Sequence, residues 1–224
     1  MAGTSLNTGF LLFPKTTQLD LTGPYEVMAR VPGRVDLIAK TMEPVVSDRG
    51  LTILPTATFT NHPPLDVLCI PGGPGTDDLL SDDETLAFVR EVATSAKWVT
   101  SVCTGALLLG AAGLLRGKRA TTHWLSHDML EAFGAIPTEG RVVRDGNVIT
   151  GGGVTAGIDF ALWLVGEELG REAAEQIQLA IEYRPEPPFM PSEAVTKSVL
   201  DAAPTKLAGR RAAVDAAAAR LGAR

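Results

Sequence analysis

Cys103 is the residue best placed to do chemistry, because it stands where a strand pattern changes into a helix pattern. Residues 98–102 are mainly β-branched and aromatic, which favours a buried strand, and residues 105–110 are small or leucine, which favours a helix. A cysteine at such a turn lies near unpaired N–H groups and the positive end of a helix dipole. We therefore expect the thiol pKa to fall below its usual value of about 8.5, although a buried, inert cysteine fits the pattern equally well.

Three other segments follow predicted strands and could act together with Cys103. They contain Asp20, the pair Gly72 and Gly73, and residues 151–155. Ligands of open α/β sheets bind beyond the carboxyl ends of the strands. The four segments could therefore converge on one pocket.

Asp20 is a carboxylate among apolar neighbours, and its sequence context allows two roles. If it faces the pocket, desolvation and a nearby thiolate would raise its pKa and make it a proton donor near neutral pH. Alternatively, it caps the helix predicted at residues 21–30, and periodicity alone favours this capping role.

The glycines could supply backbone donors or freedom of movement. Gly72 and Gly73 allow positive φ, so their N–H groups could form an anion hole together with the N–H of Thr104. A glycine pair is also common in turns between strands and helices. Residues 151–153 are either a close-packing turn or a hinge for the helix that follows.

The sequence favours chemistry without a cofactor or a metal. It contains neither a dinucleotide fingerprint after a strand nor a phosphate-binding loop with its lysine. His62, His123 and His127 do not have the spacing of zinc ligands, and Cys69 lies within a continuous apolar strand at residues 65–70, where we expect it to pack.

Charge and hydropathy limit the partners and the cellular compartments that we expect for this protein. The net charge is −6 without a basic block, which disfavours nucleic acids and anionic membranes as partners. The apolar runs are too short to span a bilayer, and residues 1–8 lack the pattern of a signal peptide. We expect a cytoplasmic protein whose two cysteines stay reduced.

Strand and helix patterns alternate along the chain, which predicts an α/β fold with three layers. In this fold a mostly parallel central sheet carries helices on both faces. The predicted strands are residues 9–13, 35–39, 65–70, 98–102 and 120–122, with hairpins at 45–47/51–54 and 141–145/147–150. The predicted helices, besides residues 21–30 and the segment after Cys103, are residues 82–95, 127–133 and 158–169.

The chain divides into a catalytic domain, residues 1–190, and a helical tail, residues 191–224. Residues 185–188 (PEPP) close the body of the domain. The tail is rich in alanine but has little apolar stripe, so we expect a peripheral or dimer-contacting arm rather than a second domain.

Six motifs, in the same order, resemble the ThiJ/PfpI superfamily, whose members are similar to class I glutamine amidotransferases. The resemblance extends up to about Pro185, and it implies a flavodoxin-like fold with a nucleophile elbow. The motifs are residues 9–13 (GFLLF), 19–24 (LDLTGP), 70–73 (IPGG), 101–105 (SVCTG), 121–123 (TTH) and 150–157 (TGGGVTAG).

Within the superfamily, the chain is most similar to the isocyanide-hydratase subgroup. That resemblance implies a cytosolic homodimer that converts isocyanides into N-substituted formamides without a cofactor. Many superfamily members pair the elbow cysteine with a glutamate, whereas this chain has Asp20, as the subgroup does. Protease-like and deglycase-like members often have histidine after the cysteine, where this chain has Thr104. A Cys103–Asp20 dyad is therefore favoured over a Cys–His pair.

The resemblance and the residue chemistry together imply roles for the pair and its neighbours. Cys103 would attack the terminal isocyanide carbon and form a thioimidate, while Asp20 would deliver a proton and later activate water. Thr104 would hold that water with its hydroxyl and supply a backbone donor, and Gly73 would offer a second donor.

The remaining implied roles concern the walls and movement of the pocket. Val154 would contribute to an apolar wall for the isocyanide substituent. Gly152 and Thr155 match positions tied to movement of the following helix when the Cys103 charge is neutralised. His123 matches a histidine of several members, and its reach to Cys103 is left open.

Two alternatives use the same fold. A glyoxalase or deglycase acting on α-oxoaldehydes would use the same thiol, but Asp20 and Thr104 argue against it. The second alternative is a ligand or redox sensor without a DNA-binding domain. The transcription regulators that share this fold carry a further helix-turn-helix domain, for which the 39 residues after Pro185 are too few. A redox-sensor role for Cys103 is compatible with catalysis.

Overall fold

The computed structural model describes residues 5–222, and it consists of alternating strands and helices along most of that length. The strands are β1 (Thr8–Leu11), β2 (Val35–Ala39), β3 (Val45–Val46), β4 (Thr52–Ile53), β5 (Ala57–Thr58), β6 (Val67–Ile70), β7 (Trp98–Val102), β8 (Arg119–Ala120), β9 (Ile136–Pro137), β10 (Val142–Asp145) and β11 (Val148–Gly151). The α-helices are α1 (Gln18–Met28), α2 (Thr76–Leu79), α3 (Asp83–Ala93), α4 (Gly105–Ala111), α5 (Ala156–Leu169), α6 (Arg171–Ala180) and α7 (Glu193–Gly222). A 3-10 helix (Trp124–Phe133) lies between β8 and β9.

Seven strands form the central sheet, in the order β10-β11-β7-β6-β1-β2-β5. All neighbours are parallel except β10, which forms an antiparallel hairpin with β11 at one edge. Strands β1, β6, β7 and β11 are buried throughout, as expected for parallel strands covered on both faces.

The strand register brings the segments that carry the candidate residues to one edge of the sheet. Ile70 pairs with Ser101, and Val102 pairs with Gly151, so β6, β7 and β11 end at the same level. The segments after these strands leave the sheet side by side. This placement follows from the parallel pairing itself, because parallel strands in this register end at the same edge of the sheet.

The two faces of the sheet are covered by separate apolar clusters. One contains Leu107, Leu130 and Phe133, where α4 and the 3-10 helix pack on the sheet. The other contains Leu21 and Phe160, where α1 and α5 pack. The predicted three-layer α/β architecture is therefore confirmed.

Several elements begin or end away from their predicted positions. Helix α1 begins at Gln18, and Thr17 occupies its N-cap without a side-chain hydrogen bond. Asp20 therefore lies inside the first helical turn, and the capping role favoured by periodicity is wrong. Residues 120–122 do not join the central sheet, and Thr121 donates its N–H to the Thr150 hydroxyl at 2.8 Å. Strand β8 instead pairs with β9, a strand that the sequence analysis did not predict.

Helix α7 packs on the main body along its carboxyl-terminal half. Val214 and Ala217 are buried in the same apolar cluster as α4 and the 3-10 helix. Arg210 and Arg220 form ion pairs with carboxylates of the body. The tail therefore contributes to the core, while its boundary at residue 191 and any contact with a second copy stay predictions. In the part of the chain that the structure covers, we find no helix with the length and apolarity needed to span a bilayer.

Candidate active site

Cys103 occupies a sharp left-handed turn directly after β7, with φ of 54°. A side chain at such a φ costs on the order of 1–3 kcal/mol, so the surrounding structure must hold it. The Cys103 N–H donates to the carbonyls of Gly151 and Gly152 at 3.1 and 2.8 Å, and its carbonyl accepts the Thr122 hydroxyl at 2.6 Å. These bonds fix the turn from three sides, which is the geometry expected of a nucleophile elbow.

Gly105 explains how helix α4 can begin so close to the neighbouring strand. A Cβ atom at this position would lie 2.1 Å from the carbonyl oxygen of Ile70 and 2.9 Å from that of Pro71. Any other residue would push the helix away from β6. The glycine thus allows the elbow to sit against the end of the sheet.

Asp20 reaches the elbow from the first turn of α1. Its side chain is fully buried, and Oδ2 accepts the Gly72 N–H at 3.0 Å. Oδ1 is also buried and accepts no hydrogen bond from a nitrogen or oxygen donor within residues 5–222. The carboxyl group has a side-chain hydrogen bond with Cys103. The structure therefore places the two predicted partners in one site, with one carboxyl oxygen open for proton transfer.

Burial strongly perturbs the acidities of both groups. Burial raises the pKa of Asp20 to about 7, although the Gly72 N–H and the Cys103 thiol partly oppose this, and Asp48 adds to the rise. Burial also raises the pKa of Cys103 to about 12, and the neighbouring Asp20 raises it further. The expected low thiol pKa is thus wrong, because desolvation outweighs the backbone donors.

The backbone donors at the sulfur are not the ones predicted from the glycines. The N–H of Gly72 points to Asp20, and the N–H of Gly73 donates to the Thr104 hydroxyl at 3.0 Å. The predicted anion hole from these two glycines is therefore not formed. The N–H groups of Thr104 and Val154 hydrogen-bond the sulfur instead, and they oppose the rise in its pKa.

Gly72 and Gly73 are required for space and conformation rather than for anion binding. A Cβ atom on Gly72 would lie 2.6 Å from the Thr104 nitrogen and 2.8 Å from Oδ2 of Asp20. Gly73 has φ of 135°, and a Cβ there would lie 2.5 Å from the Lys15 carbonyl oxygen. The loop can approach Asp20 and the elbow only because both residues lack side chains.

The Thr104 hydroxyl is occupied by protein contacts. It accepts the Gly73 N–H and lies 3.1 Å from the hydroxyl of Thr76 at the start of α2. The predicted water-holding role of this hydroxyl has no support from these contacts. Thr104 instead ties the glycine loop and α2 to the elbow.

Val154, Gly152 and Thr155 form the segment that leads into α5. Val154 contributes its backbone N–H to the sulfur, while the apolar wall predicted for its side chain stays a prediction. A Cβ atom on Gly152 would meet only ordinary contacts, the nearest at 3.7 Å. Thr155 is exposed, and its hydroxyl accepts a hydrogen bond from Arg141 at 3.0 Å.

His123 is the N-cap of the 3-10 helix and lies beside this segment. Its Nδ1 accepts the Leu125 N–H at 3.3 Å, and its ring lies 3.3 Å from the position of a Cβ atom on Gly153. Burial and the nearby Arg210 lower its pKa, which favours the neutral ring. These contacts explain the position of His123 by the start of a helix and do not pair it with the thiol.

Sequence reasoning gave no role to two buried threonines that support the elbow, Thr122 and Thr76. Thr122 binds the Cys103 carbonyl from a segment 19 positions away in the chain, and Thr76 contacts Thr104 from 28 positions away. Neither separation has a local pattern that would reveal it. Within residues 5–222, no group of three His, Cys, Asp or Glu side chains lies close enough to bind a metal ion.

The parallel sheet, the cysteine in a left-handed backbone conformation and the carboxylate beside it define an α/β protein with a nucleophile elbow. The sequence pattern of the DJ-1/PfpI family matches residues 8–167. The chain belongs to this family.

Similar proteins include enzymes and regulators. The chain is 53% identical over 225 residues to "Isonitrile hydratase" of Pseudomonas putida, covering 97% of this chain and 98% of that protein. A solved ThiJ/PfpI family protein from Pseudomonas syringae has a TM-score of 0.90 and 46% identity, covering 96% of this chain and 91% of that one. An HTH-type transcriptional regulator of Pseudomonas aeruginosa is 32% identical over 75% of this chain, which spans 48% of the regulator.

Proposed function

We propose that this protein is an isocyanide hydratase, an enzyme that adds water to an isocyanide and releases an N-substituted formamide. The observation that carries the proposal is the likeness to the Pseudomonas putida isonitrile hydratase along nearly the full length of both chains. The Asp20–Cys103 pair supports it, since this reaction needs a nucleophile and a proton carrier at the same carbon.

The first half of the reaction adds the thiol across the terminal isocyanide carbon. Asp20, as carboxylate, takes the proton of Cys103, and the thiolate attacks the carbon. Asp20 then returns the same proton to that carbon. The product is a thioimidate, Cys103–S–CH=N–R, which contains all atoms of the thiol and the substrate.

The second half hydrolyses this thioimidate. Asp20, again ionised, takes a proton from water as the oxygen attacks the thioimidate carbon, and it passes this proton to the nitrogen. Collapse of the tetrahedral adduct expels the Cys103 sulfur and releases the formamide, and Asp20 transfers the hydroxyl proton of the adduct to the departing sulfur. One carboxyl group with a pKa of about 7 can both accept and donate protons near neutral pH.

The backbone N–H groups at the sulfur support the thiolate while it exists. Thr104 and Val154 supply these donors, and both lie on short segments next to the elbow. The hydrogen bond from Val154 weakens when the sulfur becomes neutral in the thioimidate. We infer that the segment with Gly152 and Thr155 then shifts as a hinge for α5, since a side chain on Gly152 meets no close contact and Thr155 is exposed.

The enzyme is proposed to work in the cytoplasm as a homodimer. Its two cysteines are free thiols, and a thiol nucleophile persists best in a reducing compartment. Leu179, Phe189 and Met190 are each more than four-fifths exposed, and such apolar surface favours association with a second copy. Light scattering of the purified protein tests the dimer.

The direct test supplies an aromatic isocyanide to the purified enzyme and follows the absorbance of the formamide. Mass spectrometry of the enzyme during turnover is expected to show the thioimidate adduct on Cys103. The matched control is Cys69→Ala, which retains Cys103. Absence of turnover with Cys103 reduced would refute the proposal, and consumption of methylglyoxal would favour the α-oxoaldehyde alternative.

A further inference from the structure

Arg210 lies on the face of α7 that packs against the body of the protein. Its side chain is only 13% exposed. Nε donates to Oδ1 of Asp77 at 2.6 Å, and Nη1 donates to the hydroxyl of Ser126 at 3.4 Å. A single guanidinium thus connects α7 to two separate elements, α2 and the 3-10 helix.

The first of these connections leads to the sulfur. Asp77 is adjacent to Thr76 in α2, and the Thr76 hydroxyl lies 3.1 Å from the hydroxyl of Thr104. The N–H of Thr104 hydrogen-bonds Sγ of Cys103. A shift of α2 would therefore displace the Thr104 N–H relative to the sulfur.

The second connection leads to the backbone of the elbow. Ser126 is fully buried in the 3-10 helix that starts immediately after His123. The preceding residue, Thr122, donates its hydroxyl to the Cys103 carbonyl at 2.6 Å. Arg210 therefore holds two elements that lie next to residues supporting the strained turn, α2 and the 3-10 helix.

We propose that Arg210 is a positioning residue, by which the carboxyl-terminal helix holds α2 and the 3-10 helix in the arrangement that the Cys103 elbow needs. A planar guanidinium suits this task because its fork of donors can bridge two acceptors at a fixed angle. Groups that carry out chemistry must be held by such supporting contacts, since small displacements cost rate. The kinetic part of the proposal rests on the proposed isocyanide hydratase activity.

Arg211 provides a matched control on the same helix. It forms an ion pair with Asp128 of the 3-10 helix at 2.9 Å, but both side chains are more than half exposed. Removal of Arg211 deletes one arginine and one ion pair to the same element without touching α2. A general effect of charge or of α7 docking would appear in both variants.

The kinetic test compares Arg210→Gln with Arg211→Gln. We expect kcat of Arg210→Gln to fall roughly 2- to 30-fold, the range for mutations that act through coupled contacts, with KM changed less than about twofold. Arg211→Gln is expected to keep both constants within about twofold of wild type. In a double-mutant cycle, Asp77→Asn should add little to the loss in Arg210→Gln, because both remove the same contact.

A second readout does not depend on the substrate. The rate of Cys103 alkylation by iodoacetamide, followed by peptide mass spectrometry against pH, gives an apparent midpoint. We expect this midpoint to rise in Arg210→Gln and not in Arg211→Gln, because a displaced Thr104 N–H supports the thiolate less. If the wild type does not turn over isocyanides, the proposed function fails, while this measurement still decides the role of Arg210.

Arg210→Lys serves if Arg210→Gln does not fold. Lysine keeps a charge for Asp77 but lacks the fork that reaches Ser126, so an intermediate kcat and midpoint are expected. Wild-type kcat and midpoint in a folded Arg210 variant, or equal changes in Arg211→Gln, would overturn the proposal.

Discussion

Cys69 and Cys103 lie on or directly after adjacent strands, and they differ in backbone and partners rather than in burial. Both are buried free thiols, and burial raises the pKa of each to about 12. Cys69 lies within β6, between Phe10 of β1 and Thr100 of β7. Cys103 has left the strand, and its sulfur meets two N–H groups and a carboxyl group. The reactivity proposed for Cys103 therefore depends on the turn and its partners, which burial alone does not reveal.

The comparison is tested most severely by removing the sulfur of Cys103. Cys103→Ala is expected to abolish turnover, by at least about a thousandfold, because the covalent step loses its nucleophile. Cys69→Ala should retain activity, and both are measured by formamide release. Substantial activity in Cys103→Ala would show that the two thiols do not differ in the way proposed.

Asp20→Asn removes the carboxylate that most clearly distinguishes the surroundings of Cys103 from those of Cys69. We expect kcat to fall about 10²- to 10⁴-fold, the usual contribution of a general acid or base. In the wild type, kcat/KM should rise with pH through about 7, because Asp20 must be ionised before it can take the thiol proton. This rise should be absent in any residual activity of Asp20→Asn.

Asp48→Asn is the matched carboxylate control for that profile. The Asp48 charge raises the pKa of Asp20, so its removal should move the rise in kcat/KM to lower pH while the plateau changes little. An unchanged midpoint in Asp48→Asn would argue that Asp20 does not set the profile.

The buried carboxyl group should also make stability depend on pH. Its pKa is about 7 in the folded protein and about 3.9 when unfolded, so the folded state retains a proton that the unfolded state loses. This stabilising contribution is complete below about pH 4 and is lost as pH rises through about 7. Relative to Asp20→Asn, the unfolding free energy of the wild type should fall by a few kcal/mol, at about 1.4 kcal/mol per pKa unit. Urea denaturation at pH 4 and 8 measures it, and parallel curves would contradict the assignment.

Thr122→Val tests the support of the elbow backbone. The valine leaves the Cys103 carbonyl without its hydroxyl donor, at a cost of about 1–3 kcal/mol in stability and a several-fold loss in kcat. Thr121→Val is the control, since Thr121 uses its N–H rather than its hydroxyl in its bond to Thr150. Equal effects of both variants would show that the hydrogen bond from Thr122 to the Cys103 carbonyl contributes no more than the other contacts of a buried threonine.

The smallest effect is expected from a substitution at Cys69, the cysteine within β6. Cys69→Ala should lower stability by about 1 kcal/mol, because a small buried group is lost from a packed strand, and should leave kcat unchanged. Thermal unfolding and formamide release measure the two quantities. A large loss of activity would mean that Cys69 influences the site through β6.

The sequence located the elbow because its pattern changes period at one residue. Parallel strands end at one edge, so the meeting of Asp20 with Cys103 could also be predicted. The Thr104 N–H was predicted as a donor, but the Val154 N–H was not, and the N–H groups of Gly72 and Gly73 were assigned wrongly. The direction of an N–H depends on dihedral angles that the two glycines leave open. The thiol pKa was predicted in the wrong direction because burial of the turn depends on the packed layers. The support from Thr122 likewise exists only in the folded chain.

The left-handed turn at Cys103 also concerns the chain during its synthesis. The carbonyls and the hydroxyl that hold the turn belong to Gly151, Gly152 and Thr122, all of which leave the ribosome after the cysteine does. Before these residues are synthesised, no hydrogen bond from them stabilises the left-handed conformation of Cys103, and its side chain is an ordinary thiol. The nascent chain can therefore form the turn of its proposed nucleophile only after β11, which pairs with β7 in the sheet, has been synthesised.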